Sequence, residues 1–199
     1  MRIKPRDDTD SRRQSVEQEV RRAHELGPLR DPVCTDDCPQ FDALAGCRRD
    51  CAEAPKRLSS EGEKYPVEPL VAPLVFEVKK LGMFEPCWSC EGHLGPTGEL
   101  WKVPRVWFYS DSVIHVRALA NAVAEMFNSK DPQKKLSARW HVVLTHSDAD
   151  NPDTTFSLEP QWSEADKTLP GLQNDLKILA EGLEKYFWEA CDELSQHAR

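Results

Sequence analysis

The seven residues LVFEVKK at 74–80 decide how this chain is read. Leu74, Phe76 and Val78 alternate with Val75, Glu77 and Lys79, and that two-residue period predicts a β-strand with one apolar side. Further along, RVWFY at 105–109 is a nearly continuous apolar run of strand length. RWHVVLTH at 139–146 sets Trp140, Val142 and Leu144 against His141, Val143 and Thr145, and TTFSLEP at 154–160 offers Phe156 and Leu158. These segments make two hairpins.

A helical period follows each hairpin. Over 112–128, Val116, Leu119, Ala120, Val123 and Phe127 form one apolar stripe. Over 171–195, Leu172, Leu176, Leu179, Leu183, Phe187, Cys191 and Leu194 form another, with Pro170 suited to a first helical turn. The expected fold is therefore α+β: a four-stranded antiparallel sheet in ββαββα order, two helices covering one face and the other face left more polar.

Residues 66–199 hold all of this and are read as one compact domain. Residues 1–65 are read as an N-terminal appendage. It carries a short amphipathic helix over 13–27, with Val16, Val20 and Ala23 on one side and Gly27-Pro28 as its stop, then a cysteine segment and a polar, Pro-containing connector.

A chain of 199 residues with 39% hydrophobic content supports one core and an extension. A net charge of −8 argues against a nucleic-acid binder, which gathers Lys and Arg on one surface. The basic opening (Arg2, Lys4, Arg6, Arg12, Arg13) is interrupted by Asp7, Asp8 and Asp10 and reads as a solvated tail. With no apolar run of about eighteen residues and no signal-peptide pattern, the expectation is a soluble, cytoplasmic protein with no membrane partner. A reducing compartment turns attention to its seven cysteines, because it favours metal or redox chemistry over structural disulfides.

Two cysteine groups stand out. FEPCWSCEGHLG at 84–95 contains Cys87-x-x-Cys90-x-x-His93, placed by its glycines and proline in a loop between the first two strands. The Cys-x-x-Cys spacing suits two thiolates on one tetrahedral zinc, with His93 as third ligand and the fourth from the N-terminal cysteines or water. A catalytic redox pair would open a helix, which Gly95, Pro96 and Gly98 oppose. The second group is Cys34-x3-Cys38-x8-Cys47-x3-Cys51. Four-residue spacing puts each pair on one side of a helical turn, so two facing turns would gather four sulfurs for zinc, for an iron–sulfur cluster or for two parallel disulfides.

The paired CX3C pattern over 34–51 resembles the twin-CX3C helical hairpins of small mitochondrial intermembrane-space proteins. That resemblance implies a disulfide-locked hairpin, although the eight-residue interval is short for it. Over 90–160 the succession of His93, strand, helix and hairpin resembles zinc peptidases and hedgehog-type domains, which bind zinc through His, Asp and a later His. The matching strands here, RVWFY and TTFSLEP, supply neither aspartate nor histidine.

Other candidates are plainer. His141 and His146 have odd spacing and point to opposite sides of their strand. His115 flanks the helical stripe, and Asp148, Asp150 and Asp153 lie where turn residues belong, without the pattern of a calcium loop. No phosphate loop, G-x-S-x-G elbow or H-E-x-x-H motif is present.

The functional expectation is a zinc-stabilised module that binds another protein, with Trp88 and Trp101 as anchors and with self-association of the long C-terminal stripe as a further option. Trp101 and Trp107 share a parity and would share a face in one regular strand. The alternatives are a zinc hydrolase on Cys87, Cys90 and His93 with Glu91 or His141 as proton acceptor, and an iron–sulfur electron carrier on Cys34, Cys38, Cys47 and Cys51.

Overall fold

The computed structural model describes residues 9–35, 37–41, 46–145, 154–161 and 168–198. His146, Asp148, Asp150 and Asp153 lie outside the described residues. In chain order the elements are α1 (Thr9–Leu26), α2 (Ala54–Arg57), α3 (Ala72–Lys80), β1 (Glu85–Cys90), β2 (His93–Leu94), β3 (Leu100–Lys102), β4 (Arg105–Tyr109), α4 (Val113–Phe127), β5 (Trp140–Thr145), β6 (Thr155–Pro160) and α5 (Leu169–Ala198). The protein is α+β, built on a four-stranded antiparallel sheet in the order β1-β4-β6-β5.

One strand reading is corrected. LVFEVKK is helix α3, and the first strand of the sheet lies instead at Glu85–Cys90. A short apolar run fits a buried helix as well as a strand. Here Leu74, Val75, Phe76, Glu77 and Val78 are all buried, so the residues alternate in polarity but not in environment. Pro73 sits in the first turn, where its missing N–H costs nothing, and Lys79 and Lys80 sit at the negative end of the helix dipole.

The apolar side of the sheet carries Val106 and Phe108 from β4, Phe156 and Leu158 from β6, and Trp140 from β5. These merge into one core with Leu119 and Val123 of α4 and Leu172, Leu176, Leu179, Leu183 and Phe187 of α5. Phe84 stands edge-on to both Phe108 and Phe187, with ring centroids 5.1 and 5.7 Å away. The opposite side is polar: Arg105 pairs with Glu159 at 3.5 Å, Ser157 Oγ donates to Glu159 at 2.6 Å, and the Trp88 and Trp107 rings lie 5.1 Å apart. Trp101 lies on β3 in a separate two-stranded sheet with β2, so it and Trp107 are not on one strand.

α1 joins the core through Val20 and Ala23, with Val16 packed against it. His115 of α4 is buried and its Nε2 donates to the Glu19 carbonyl at 2.8 Å, linking α4 to α1. Within α5, Asp175 is fully buried and accepts from Ser137 N (2.7 Å), Ser137 Oγ (3.0 Å), Ala138 N (3.1 Å) and Trp140 Nε1 (3.0 Å). That carboxylate replaces water for the chain entering β5.

Candidate metal centre

Cys87 and Cys90 do not sit in a loop: both belong to strand β1. Extended chain spaces residues three apart by about 10 Å and turns their side chains in opposite directions, so the knuckle geometry that the spacing suggested is not made. The β1–β4 register is irregular between Pro86 and Trp88, which leaves Cys87 exposed, while Cys90 at the end of the strand is 4% exposed. Burial pushes both thiols up; at Cys87 a hydrogen bond with Tyr109 pulls the other way, at Cys90 the Gly92 N–H does. No helix follows Cys90. Two thiols biased toward the protonated form, away from any helix N-terminus, are poor redox nucleophiles.

The cluster that does form joins Cys90 and His93 to a residue the spacing could not reveal. The ligand atoms of Glu68, Cys90 and His93 all lie within 4.8 Å of one another. His93 Nε2 is 2.9 Å from Glu68 Oε1, and Glu68 Oε2 accepts from Glu91 N at 2.7 Å. Glu91 in turn accepts from Leu70 N at 2.9 Å, and its carbonyl accepts from Gln173 Nε2 of α5 at 3.2 Å. Glu68, on the connector before α3, is thus locked against the end of β1 from both sides.

Gly92 makes the turn between Cys90 and His93 possible. Its φ is +85°, and a Cβ there would lie 2.7 Å from Leu169 Cδ1 and 2.8 Å from Pro104 Cδ. Only glycine fits both the conformation and the space. The Gly92 N–H points at Cys90 Sγ, 3.4 Å away. Cys90 is buried, whereas the side chains of His93 and Glu68 are 40% and 37% exposed. Sulfur, imidazole nitrogen and carboxylate oxygen together suit zinc, and three protein ligands at a half-open surface leave a fourth position for water or an incoming group.

The second cysteine group is organised differently from the expected helical hairpin. Among the described residues of 34–51 there is no helix, only turns. Even so, Cys34 stands near two other sulfurs, its Sγ 3.9 Å from Cys38 Sγ and 2.7 Å from Cys47 Sγ. Cys34, Cys47 and Cys51 line a cavity of about 340 Å³ with Arg48 and Asp50. Burial raises the Cys34 thiol strongly, and the neighbouring sulfurs of Cys47 and Cys38 raise it further. Crowded sulfurs favour the protonated form of each other, and a bound cation would reverse that preference. Two thiolates on one tetrahedral zinc stand about 3.8 Å apart, given Zn–S bonds near 2.3 Å. The Cys34–Cys38 separation matches that spacing.

Of the sequence-selected residues, then, the structure brings Cys90 to His93, and Cys34 to Cys38 and Cys47; Cys87 stands apart from the first cluster, and Cys51 reaches the cavity of the second. Glu68 carried no local signal, being one acid in a Pro-rich connector. No helix among the described residues is long and apolar enough to cross a membrane. No family model, no curated protein and no solved structure matches the chain.

Proposed function

We propose that this chain is a metal-stabilised protein-binding module, with zinc as the ion and a reducing, cytoplasmic setting for its thiolates. The observation that carries the reading is the convergence of Glu68, Cys90 and His93 from three separate segments to within 4.8 Å. An ion there ties the 66–71 connector, the end of β1 and the start of β2 together. The cysteine segment, with Cys34, Cys38, Cys47 and Cys51, would supply sulfur ligands for a second ion, although among the described residues no three of these sulfurs stand within 4.8 Å of one another.

Exposed aromatics lie on or beside these segments. Tyr65 precedes Glu68 and is 59% exposed, Trp88 precedes Cys90 and is 45% exposed, and Trp101 stands beside Lys102, the register partner of His93, at 63%. Tyr65 and Trp88 line one cavity of about 290 Å³ with Pro66 and Pro86. Exposed aromatics held by a rigid frame are what protein interfaces use as anchors. The ion's role is to fix their relative positions.

A hydrolase is the weaker reading. Glu91 turns its carboxylate to Leu70 N, and His141 lies on β5, three strands and about 14 Å across the sheet from β1. Neither supplies a base beside the ion. An iron–sulfur carrier would use all four N-terminal cysteines and would colour the protein, so visible absorption of anaerobically purified material separates it from zinc.

Protein purified without chelator should contain stoichiometric zinc, and His93→Ala or Glu68→Ala should lower that content. Chelation should cost about 3–4 kcal/mol of stability when the ion is present at 100 to 1,000 times its dissociation constant. Elemental analysis that finds neither zinc nor iron ends this reading.

A further inference from the structure

The Cys34–Cys47 contact is not explained by metal binding. At 2.7 Å the two sulfurs are closer than two ligands of one zinc, which stand about 3.8 Å apart, and closer than the 3.9 Å from Cys34 to Cys38. Only about 0.7 Å separates them from a covalent S–S bond of roughly 2.05 Å.

The backbone accounts for this approach. Gly46 has φ +71°, and a Cβ on it would lie 3.2 Å from the Arg30 carbonyl oxygen and 3.3 Å from Asp31 Oδ1. With glycine there, 46–47 lies against 30–31, and Cys47 N donates to Arg30 O at 3.3 Å. On the other side, Arg57 donates to Thr35 Oγ1 (3.2 Å) and to the Asp37 carbonyl (3.4 Å), holding the 34–38 turn against α2. Two independent anchors therefore press Cys47 onto Cys34. Both thiols line the cavity of about 340 Å³, where a small oxidant can reach them.

The geometry points to Cys34 and Cys47 as an oxidisable thiol pair, a modification site for peroxides, whose closure to a disulfide withdraws two ligands from the cysteine-segment ion. The Cys47 thiolate attacks a peroxide oxygen; the O–O bond breaks, the distal oxygen leaves as water or alcohol after taking a proton, and the sulfur becomes a sulfenic acid. The Cys34 thiol attacks that sulfur and gives its proton to the departing oxygen as the S–O bond breaks, so that water leaves. Two electrons pass from the two thiols to one peroxide. The ion-release half rests on the metal reading above; disulfide formation does not.

The full-length reduced protein is treated with equimolar hydrogen peroxide, quenched with an alkylating maleimide, digested and mapped by mass spectrometry, while zinc is followed with a chromogenic chelator. The expected result is a Cys34–Cys47 cross-linked peptide and a loss of two titratable thiols out of seven, reversed by dithiothreitol. Cys47→Ser should abolish the cross-link and Cys191→Ser should leave it; if the first does not fold, the map of the unaltered protein decides alone. Cross-linking of Cys34 to another cysteine, or recovery of both Cys34 and Cys47 alkylated, overturns the inference. A cross-link in protein that holds no metal before treatment upholds the pair and removes the metal reading instead. Bound zinc with no cross-link does the reverse.

Discussion

The layer formed by α4, α5 and the sheet and the segment between α1 and α3 are held together by different physics. In the first, Trp140, Phe108, Leu158, Leu179 and Phe187 are almost completely buried, and the one deep charge, Asp175, has four donors around it. In the second, backbone hydrogen bonds are mostly local turns, such as Cys38 N to Thr35 O and Cys51 N to Arg48 O, and few apolar side chains are fully covered. Its polar ties to the rest, Leu29 N to Lys80 O at 2.7 Å and Arg49 to Glu77 at 3.0 Å, add to the few apolar ones made by Leu58, Val67 and Val71. A segment that cannot bury enough apolar surface needs a staple, and this is where cysteines gather.

The contrast can be broken most forcefully in the core. Asp175→Ala leaves Trp140 Nε1 and two backbone N–H groups buried without an acceptor, so it should destabilise the whole domain by about 4 kcal/mol, read as a lower denaturant midpoint with an unchanged slope. A shift below about 1 kcal/mol would mean that the layer does not depend on that network.

Arg49→Ala should have a smaller and more local effect. The Glu77 side chain is 3% exposed while that of Arg49 is 40% exposed, so the partner lost is half in water. A cost of about 2 kcal/mol is expected, with faster hydrogen exchange over 46–71 and little change in α5. Equal loosening of both regions would show that they are one cooperative unit.

The smallest effect at neutral pH comes from Cys191, and it sharpens the comparison by titration. Burial in α5 pushes its thiol up to about 12 from 9.0, with Asp192 adding to the shift. The folded protein therefore keeps this proton while the unfolded chain loses it, so stability from this group is complete below pH 9 and declines as pH rises toward 12. Cys191→Ala should flatten the slope of stability with pH in that window, on top of a pH-independent loss of about 1 kcal/mol from the buried atoms removed. An unchanged slope would place the alkaline loss in other groups.

How much was legible follows from these same elements. RVWFY, RWHVVLTH and TTFSLEP coincide with β4, β5 and β6, and the two stripes with α4 and α5: the stripes repeat over several helical turns, and the strand runs are rich in β-branched and aromatic residues. LVFEVKK failed because its two-residue alternation in polarity matches no alternation in burial, although Pro73 at its start and two lysines at its end are helix signals. The cysteine spacing drew attention to Cys90 and His93 but not to their partner, because ligand spacing rules assume a knuckle and β1 is extended.

By itself the amino-acid order determined where the periodic elements lie, that the chain is α+β, and that its thiols fall into two groups, since each of these is a local property of polarity along the backbone. Tertiary structure alone decided that Glu68 meets Cys90 and His93, that Asp175 serves the entry to β5, and that Cys34 touches Cys47 rather than standing equally near each partner. Those contacts join residues 13 to 38 positions apart, and only the packing of the elements between them brings such residues together.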